Sequence, residues 1–205
     1  MGVTLAYQAI PPESSFYARL QSDIAFVILS IMLFDSGHLF NLFEDDPESF
    51  DGSMENAFEG HPDVFCGTEL ETSLLVADFR EAIRITRRDY PKIVDITGSL
   101  EKSFDVVRDR LLEELSRRNF EDAAVIVDDL LYGDTYLGEH EESFGLATRE
   151  AVKKGASVLR QIEPEMLFPG GDDGDEGWYS EDFRSWKNFY LSADDVGAEI
   201  IMDVH

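Results

Sequence analysis

Few residues in this sequence are of types that do chemistry, and they fall into separate groups. Trp178, Tyr179, Trp186 and Tyr190 gather in WYSEDFRSWKNFY near the C-terminus. Rings of this kind converging at the end of a sheet would line a ligand pocket, whereas the same rings at helical spacing would pack a core. His140 stands in GEHEE, where the carboxylates would favour the imidazolium or help to assemble a weak metal site; the plainer reading is a solvated acidic loop. Arg80, Arg84, Arg87 and Arg88 follow one side of a helical pattern. They offer either a site for an anion or acidic partner, or simple pairing with the chain's own carboxylates. Cys66 lies just ahead of that helix, where a thiol can act as a nucleophile or be a small packed hydrophobe. Asp128 and Asp129 could do acid–base work, but neighbours on a helix point about 100° apart, so at most one would face a given pocket.

No recognisable motif adds to this. The sequence lacks a G-x-S-x-G elbow, a glycine-rich phosphate loop and an H-E-x-x-H zinc helix. GGDDGDEG suggests calcium, but a loop starting at Asp172 would put Gly174 at the third ligand position and Phe183 where a bidentate glutamate belongs. The expectation is no catalytic residue, no metal and no cofactor, with 170–177 a flexible acidic, glycine-rich loop.

Charge restricts the partners. The chain has 43 acidic residues against 17 basic ones, a net charge of −26, and 43% of its 205 residues are hydrophobic. That much apolar content supports a folded core. So negative a field repels phosphate backbones and anionic lipid, which argues against nucleic-acid or membrane-surface binding and in favour of a basic protein. The single cysteine, Cys66, allows no internal disulfide and fits a reducing cytoplasm. No signal peptide is seen. The apolar run Ile24 to Phe34 has eleven residues, far short of the ~20 a membrane span needs, and reads as a buried core helix.

The elements that must position these residues are mostly helices. VTLAYQAI reads as a first strand stopped by Pro11-Pro12, with a helix following through SSFYARLQ. Asp23 caps the apolar helix, with an interruption at Gly37. The acidic stretch 44–63 reads as a loop carrying a short helix at Ser53 to Phe58. Thr68 and Glu71 form a capping box for a helix ended by Pro91. Ser99 is the expected cap of the next helix, which Asn119 stops, and EDAAVIVDDLLY closes at Gly133. A loop then leads to a helix from Thr148 to Ile162, and PEMLFP is a turn. Ser180 is the expected cap of the last helix, with Phe183, Trp186, Tyr190 and Ala193 on one face. Gly197 ends it and AEIIMDV is a buried strand. At least one further strand is needed, near Lys92 to Ile96.

Three segments carry a family resemblance. MGVTLAYQAIPPE, VKKGASVLRQIEPEMLFP and WYSEDFRSWKNFYLSADDVGAEIIMDV are similar to the opening strand, the helix with its Glu-Pro-Glu-x-Met step, and the closing aromatic helix, glycine and strand of the DUF1877 (YfbM-like) family. They cover about the first 20 residues and the last 60. The middle differs, with DIAFVILSIMLF standing where that family has an Asp-Lys-x-Trp segment ending in His. The resemblance implies a compact α/β domain with a helix-flanked sheet, and no reaction.

The fold expected is therefore α/β (α+β), a helix-rich single domain over residues 1–205 around a small mixed sheet that includes strands from both termini. The function expected is that of a non-enzymatic, cytoplasmic interaction or regulatory protein engaging a basic partner. The alternative is a small-molecule-binding protein or enzyme with a pocket near Trp178, Tyr179 and Trp186. Oligomeric state is not set by any of this.

Overall fold

Apolar residues ahead of Pro11 form strand β1 (Leu5–Ile10), and all six of its residues are buried. A strand buried on both faces needs cover on both, and its alternating side chains enter two separate cores. Leu5, Tyr7 and Ala9 point into one, and Ala6 and Ile10 into the other. This computed structural model describes residues 5–34, 39–40, 47–100, 103–136, 143–170 and 174–204.

The first helical layer follows directly. Ser14 Oγ accepts from the Tyr17 amide and starts α1 (Ser15–Ser22). Asp23 caps α2 (Ile24–Met32) as expected, accepting from the Phe26 amide. Helix α3 (Pro47–Gly60) replaces most of the loop expected across 44–63. Phe50, Met54 and Ala57, spaced four and three apart, are all buried, and that apolar face overrides Gly52 and the acidic residues around it. The predicted capping box of α4 (Glu69–Asp89) is present in both directions, Glu71 N–H to Thr68 Oγ1 and Thr68 N–H to Glu71 Oε2. Phe16, Phe26 and Phe79 meet with ring centroids 4.7 to 6.0 Å apart, joining three of these helices.

Pro91 opens a single turn, α5 (Pro91–Val94), and strand β2 (Thr97–Leu100) follows. The third strand thus lies just beyond the Lys92–Ile96 region where it was expected, because proline favours the first helical position. Ser99 belongs to this strand, opposite Ala6, and does not cap a helix. The helix α6 (Phe104–Arg117) starts after Ser103, whose hydroxyl donates to Asp182 Oδ2 at 2.6 Å. Asn119 stops it in the left-handed conformation, with φ 58°. Helix α7 (Ala123–Tyr132) ends at Gly133, φ 82°.

The loop expected after Gly133 contains two strands, β3 (Thr135–Tyr136) and β4 (Ser143–Ala147). A Cβ on Gly145 would lie 1.8 Å from the Tyr132 carbonyl oxygen. That glycine lets the end of α7 lie directly on the strand. Thr148 caps α8 (Arg149–Leu159) by accepting from the Ala151 amide, and Pro164 opens the short α9 (Pro164–Leu167). Helix α10 begins at Gly174 (Gly174–Val196), so Ser180 is buried inside it, and the flexible loop expected at 170–177 is helical from 174 onward. Asp175 and Glu176 fall in its first turn, where the helix dipole favours acidic side chains. Gly197, φ 69°, ends it as predicted, and β5 (Glu199–Val204) completes the chain's described part.

The sheet order is β2-β1-β5-β4-β3. The strands from the two ends of the chain are neighbours, with Leu5 opposite Val204 and Ile10 opposite Glu199. Every described pairing is antiparallel, where a mixed sheet was expected. One face carries α1 to α4 and the other α6 to α10, giving an α+β sandwich of three layers.

Candidate functional site

The C-terminal aromatics divide by depth. Trp186 and Tyr190 are fully buried beneath β1, where Tyr7, Trp186 and Tyr190 pack with centroids 5.3 to 6.4 Å apart. Tyr190 Oη donates to the Leu130 carbonyl at 2.6 Å and Tyr7 Oη to that of Leu131 at 3.4 Å. These bonds tie α10 and β1 to α7, and burial raises both phenols well above the ordinary tyrosine range. Trp186 and Tyr190 are core. Trp178 is 42% exposed and stacks on half-buried Tyr179, centroids 6.2 Å apart and planes 25° apart. Both lie inside the helix, although a cap at Ser180 would have left them ahead of it. The pocket expected at Trp178, Tyr179 and Trp186 is thereby split between surface and core.

The arginine row on α4 is engaged within the chain. Arg80 pairs with Asp51 of α3 and places its guanidinium 4.8 Å over the Phe50 ring. Arg84 bonds Glu81 at 2.6 Å, Arg88 bonds Asp89 at 2.7 Å, and Arg87 donates to the Phe40 carbonyl at 3.1 Å. Cys66 is exposed. His140 lies outside the described residues.

The acidic residues come together more than the sequence suggested. A cleft of about 510 Å³ at the end of α7 is lined by Arg108, Asp128, Asp129, Tyr132, Gly133 and Asp134. Both Asp128 and Asp129 line it, although their side chains diverge, because the cleft wraps the last turn of the helix. Burial raises the Asp129 carboxyl, against the lowering pull of Lys154 at 4.0 Å. Asp134 accepts from both the amide and the hydroxyl of Thr148, each at 2.7 Å, and so fixes the start of α8.

Beyond this cap lies a second acidic group. Glu199 opens β5 and is only 6% exposed. Its Oε1 accepts from the Arg149 amide at 3.4 Å, while Oε2 has no hydrogen-bond partner. Burial raises its carboxyl, and the Tyr17 phenol beside it is pushed up to about 12, first by burial and then by this carboxylate. Glu199 is not among the residues whose type and spacing suggest chemistry in the sequence. The available signal was a single acidic residue opening an otherwise apolar strand, in AEIIMDV. Among the described residues, no group of three or more acidic, histidine or cysteine side chains is arranged to hold a metal ion. No family model, curated protein or solved structure matches the chain.

Proposed function

We propose that this chain is an acidic interaction protein, working in the cytoplasm, that engages a basic protein partner. The observation that carries this is how its cations are used. Arg19, Arg84, Arg88, Arg117, Arg118 and Arg160 each bond a carboxylate of the chain itself at 2.6–2.9 Å. With 43 acidic residues against 17 basic ones, internal pairing leaves a large anionic excess directed at solvent. Such a field accelerates encounter with positively charged partners and excludes polyanions. Membership of the DUF1877 family is likewise proposed, on the three similar segments at the two ends of the chain. Among the described residues no helix is long and apolar enough to cross a membrane.

The test is capture of partners from lysate by the immobilised chain, repeated across salt concentrations. The expected outcome is a defined basic protein retained at about 50 mM salt and released by about 500 mM, as screening shortens the reach of exposed charges. Absence of any salt-sensitive partner would refute the reading.

A further inference from the structure

We propose that Glu199 makes the seam between α1, α8 and β5 a proton-operated brace: its carboxyl holds a proton while the seam is closed, and giving up that proton as pH rises loosens the start of α8 on the sheet. This stands apart from the partner reading above, since it concerns a group inside the fold.

Two glutamates set the comparison. Glu114 and Glu199 are equally buried, each 6% exposed. Glu114 is compensated, with guanidinium bonds of 2.7 and 2.8 Å from Arg117 and 2.6 Å from Arg118. Glu199 receives the backbone amide of Arg149 at 3.4 Å, and its Oε2 accepts no hydrogen bond. A carboxylate taken out of water without compensating donors is relieved by taking up a proton. The two carboxyls accordingly move in opposite directions, Glu114 down and Glu199 up.

The charged and titratable side chains that act on Glu199 come from three elements. Tyr17 belongs to α1, Arg149 to α8, and Asp134 to the segment between α7 and β3. The adjacent strand β1 places apolar Ile10 opposite it. Burial is the largest cause of the upward shift, and the charge of Asp134 adds to it. Tyr17 and Arg149 favour the ionised form. The Arg149 guanidinium, however, lies over Gly197, its Nη2 3.0 Å from where a Cβ on that glycine would be.

The consequence falls on the first turn of α8. Asp134 and Glu199 accept from consecutive amides there, those of Thr148 and Arg149. With Glu199 protonated, Oε1 still accepts from Arg149 and the repulsion from Asp134 is gone. With Glu199 ionised, Oε2 requires water, and it is sealed from solvent until α8 or α1 moves off β5. The folded value lies above the unfolded one, so the stabilisation is complete below the ordinary glutamate range and is lost as pH rises through the folded value.

The test compares the parent chain with Glu199→Gln, a neutral isostere, and with Glu55→Gln, which removes an exposed charge from α3. The urea midpoint of Glu199→Gln should gain steadily on that of the parent from about pH 4 to about pH 8, and that of Glu55→Gln should gain much less. Amide exchange, corrected for its base-catalysed intrinsic rate, gives the local readout. Protection at Arg149 and Val152, whose amides bond Glu199 and the Thr148 carbonyl, should fall with pH in the parent and hold in Glu199→Gln. The Glu199 carboxyl carbon, assigned through bonds by NMR, should titrate above the ordinary glutamate range, and lower in Asp134→Asn than in the parent. Titration within the ordinary range, a gap between parent and Glu199→Gln that does not grow with pH, or protection that changes alike in both chains would overturn the proposal. If Glu199→Gln does not fold, the carboxyl titration of the parent decides it alone.

Discussion

At the scale of single residues, a buried carboxylate held by arginines shows what one structurally engaged acidic side chain contributes. Glu114 is the clearest case. It is 6% exposed on α6 and accepts from Arg117 at 2.7 and 2.8 Å and from Arg118 at 2.6 Å. The Arg117 hydrogen bonds hold its carboxyl down to about 2, against burial, with Arg118 adding to the effect. The folded value lies below the unfolded one, so the stabilisation is complete above the ordinary glutamate range and is lost as pH falls toward 2. Glu114→Gln should therefore cost about 1 kcal/mol at neutral pH, a modest figure because the Arg117 side is open to solvent. The difference in melting temperature between parent and variant should shrink as pH is lowered from about 5 to about 2. A constant difference across that range would show that packing, not charge, is what Glu114 supplies.

At the scale of elements, glycines separate the places where backbone contact decides the fold from those where it does not. Gly145 of β4 has the Tyr132 carbonyl where its Cβ would be, so Gly145→Ala must push α7 away from the sheet. It should cost more than about 2 kcal/mol. Gly52 within α3 has nothing within 4 Å of its Cβ position, and Gly52→Ala should raise stability by about 0.5–1 kcal/mol. Chemical denaturation of the two variants checks both signs. The same contrast explains what the sequence could reveal. Caps at Asp23 and Thr68 and the stops at Asn119, Gly133 and Gly197 were legible because each acts within a few residues of itself. Strand β4 was not, since SFGLA is paired along its whole length only by β5, more than fifty residues away. The start of α10 was missed because an acidic, glycine-rich stretch reads as a loop unless the helix dipole and the cover of Phe168 over Tyr179 are known. The candidate site suffered likewise. Asp128 and Asp129 could be named from the sequence, but Asp134 and Glu199 join them only through the cap of α8 and the order of the sheet.

At the scale of the whole molecule, two electrostatic effects oppose each other, and their balance gives a prediction. The internal ion pairs are mostly at the surface, where each contributes at most about 1 kcal/mol and weakens as salt is added. Opposing them is the mutual repulsion of a chain with net charge −26, which folding concentrates into a small volume and which salt relieves. The screening length falls from about 30 Å at 0.01 M to about 10 Å at 0.1 M. Contacts of 2.6–2.9 Å are shorter than either length and change little over that interval, while repulsion between distant carboxylates is largely removed. Salt should therefore stabilise this protein. The urea midpoint, measured with an uncharged denaturant so that ionic strength is controlled separately, should rise between about 0.01 and 0.2 M sodium chloride and level off above that. A midpoint that falls with salt would mean that the ion pairs outweigh the net charge. The anionic excess would then be held within the fold, with little left to attract a basic partner.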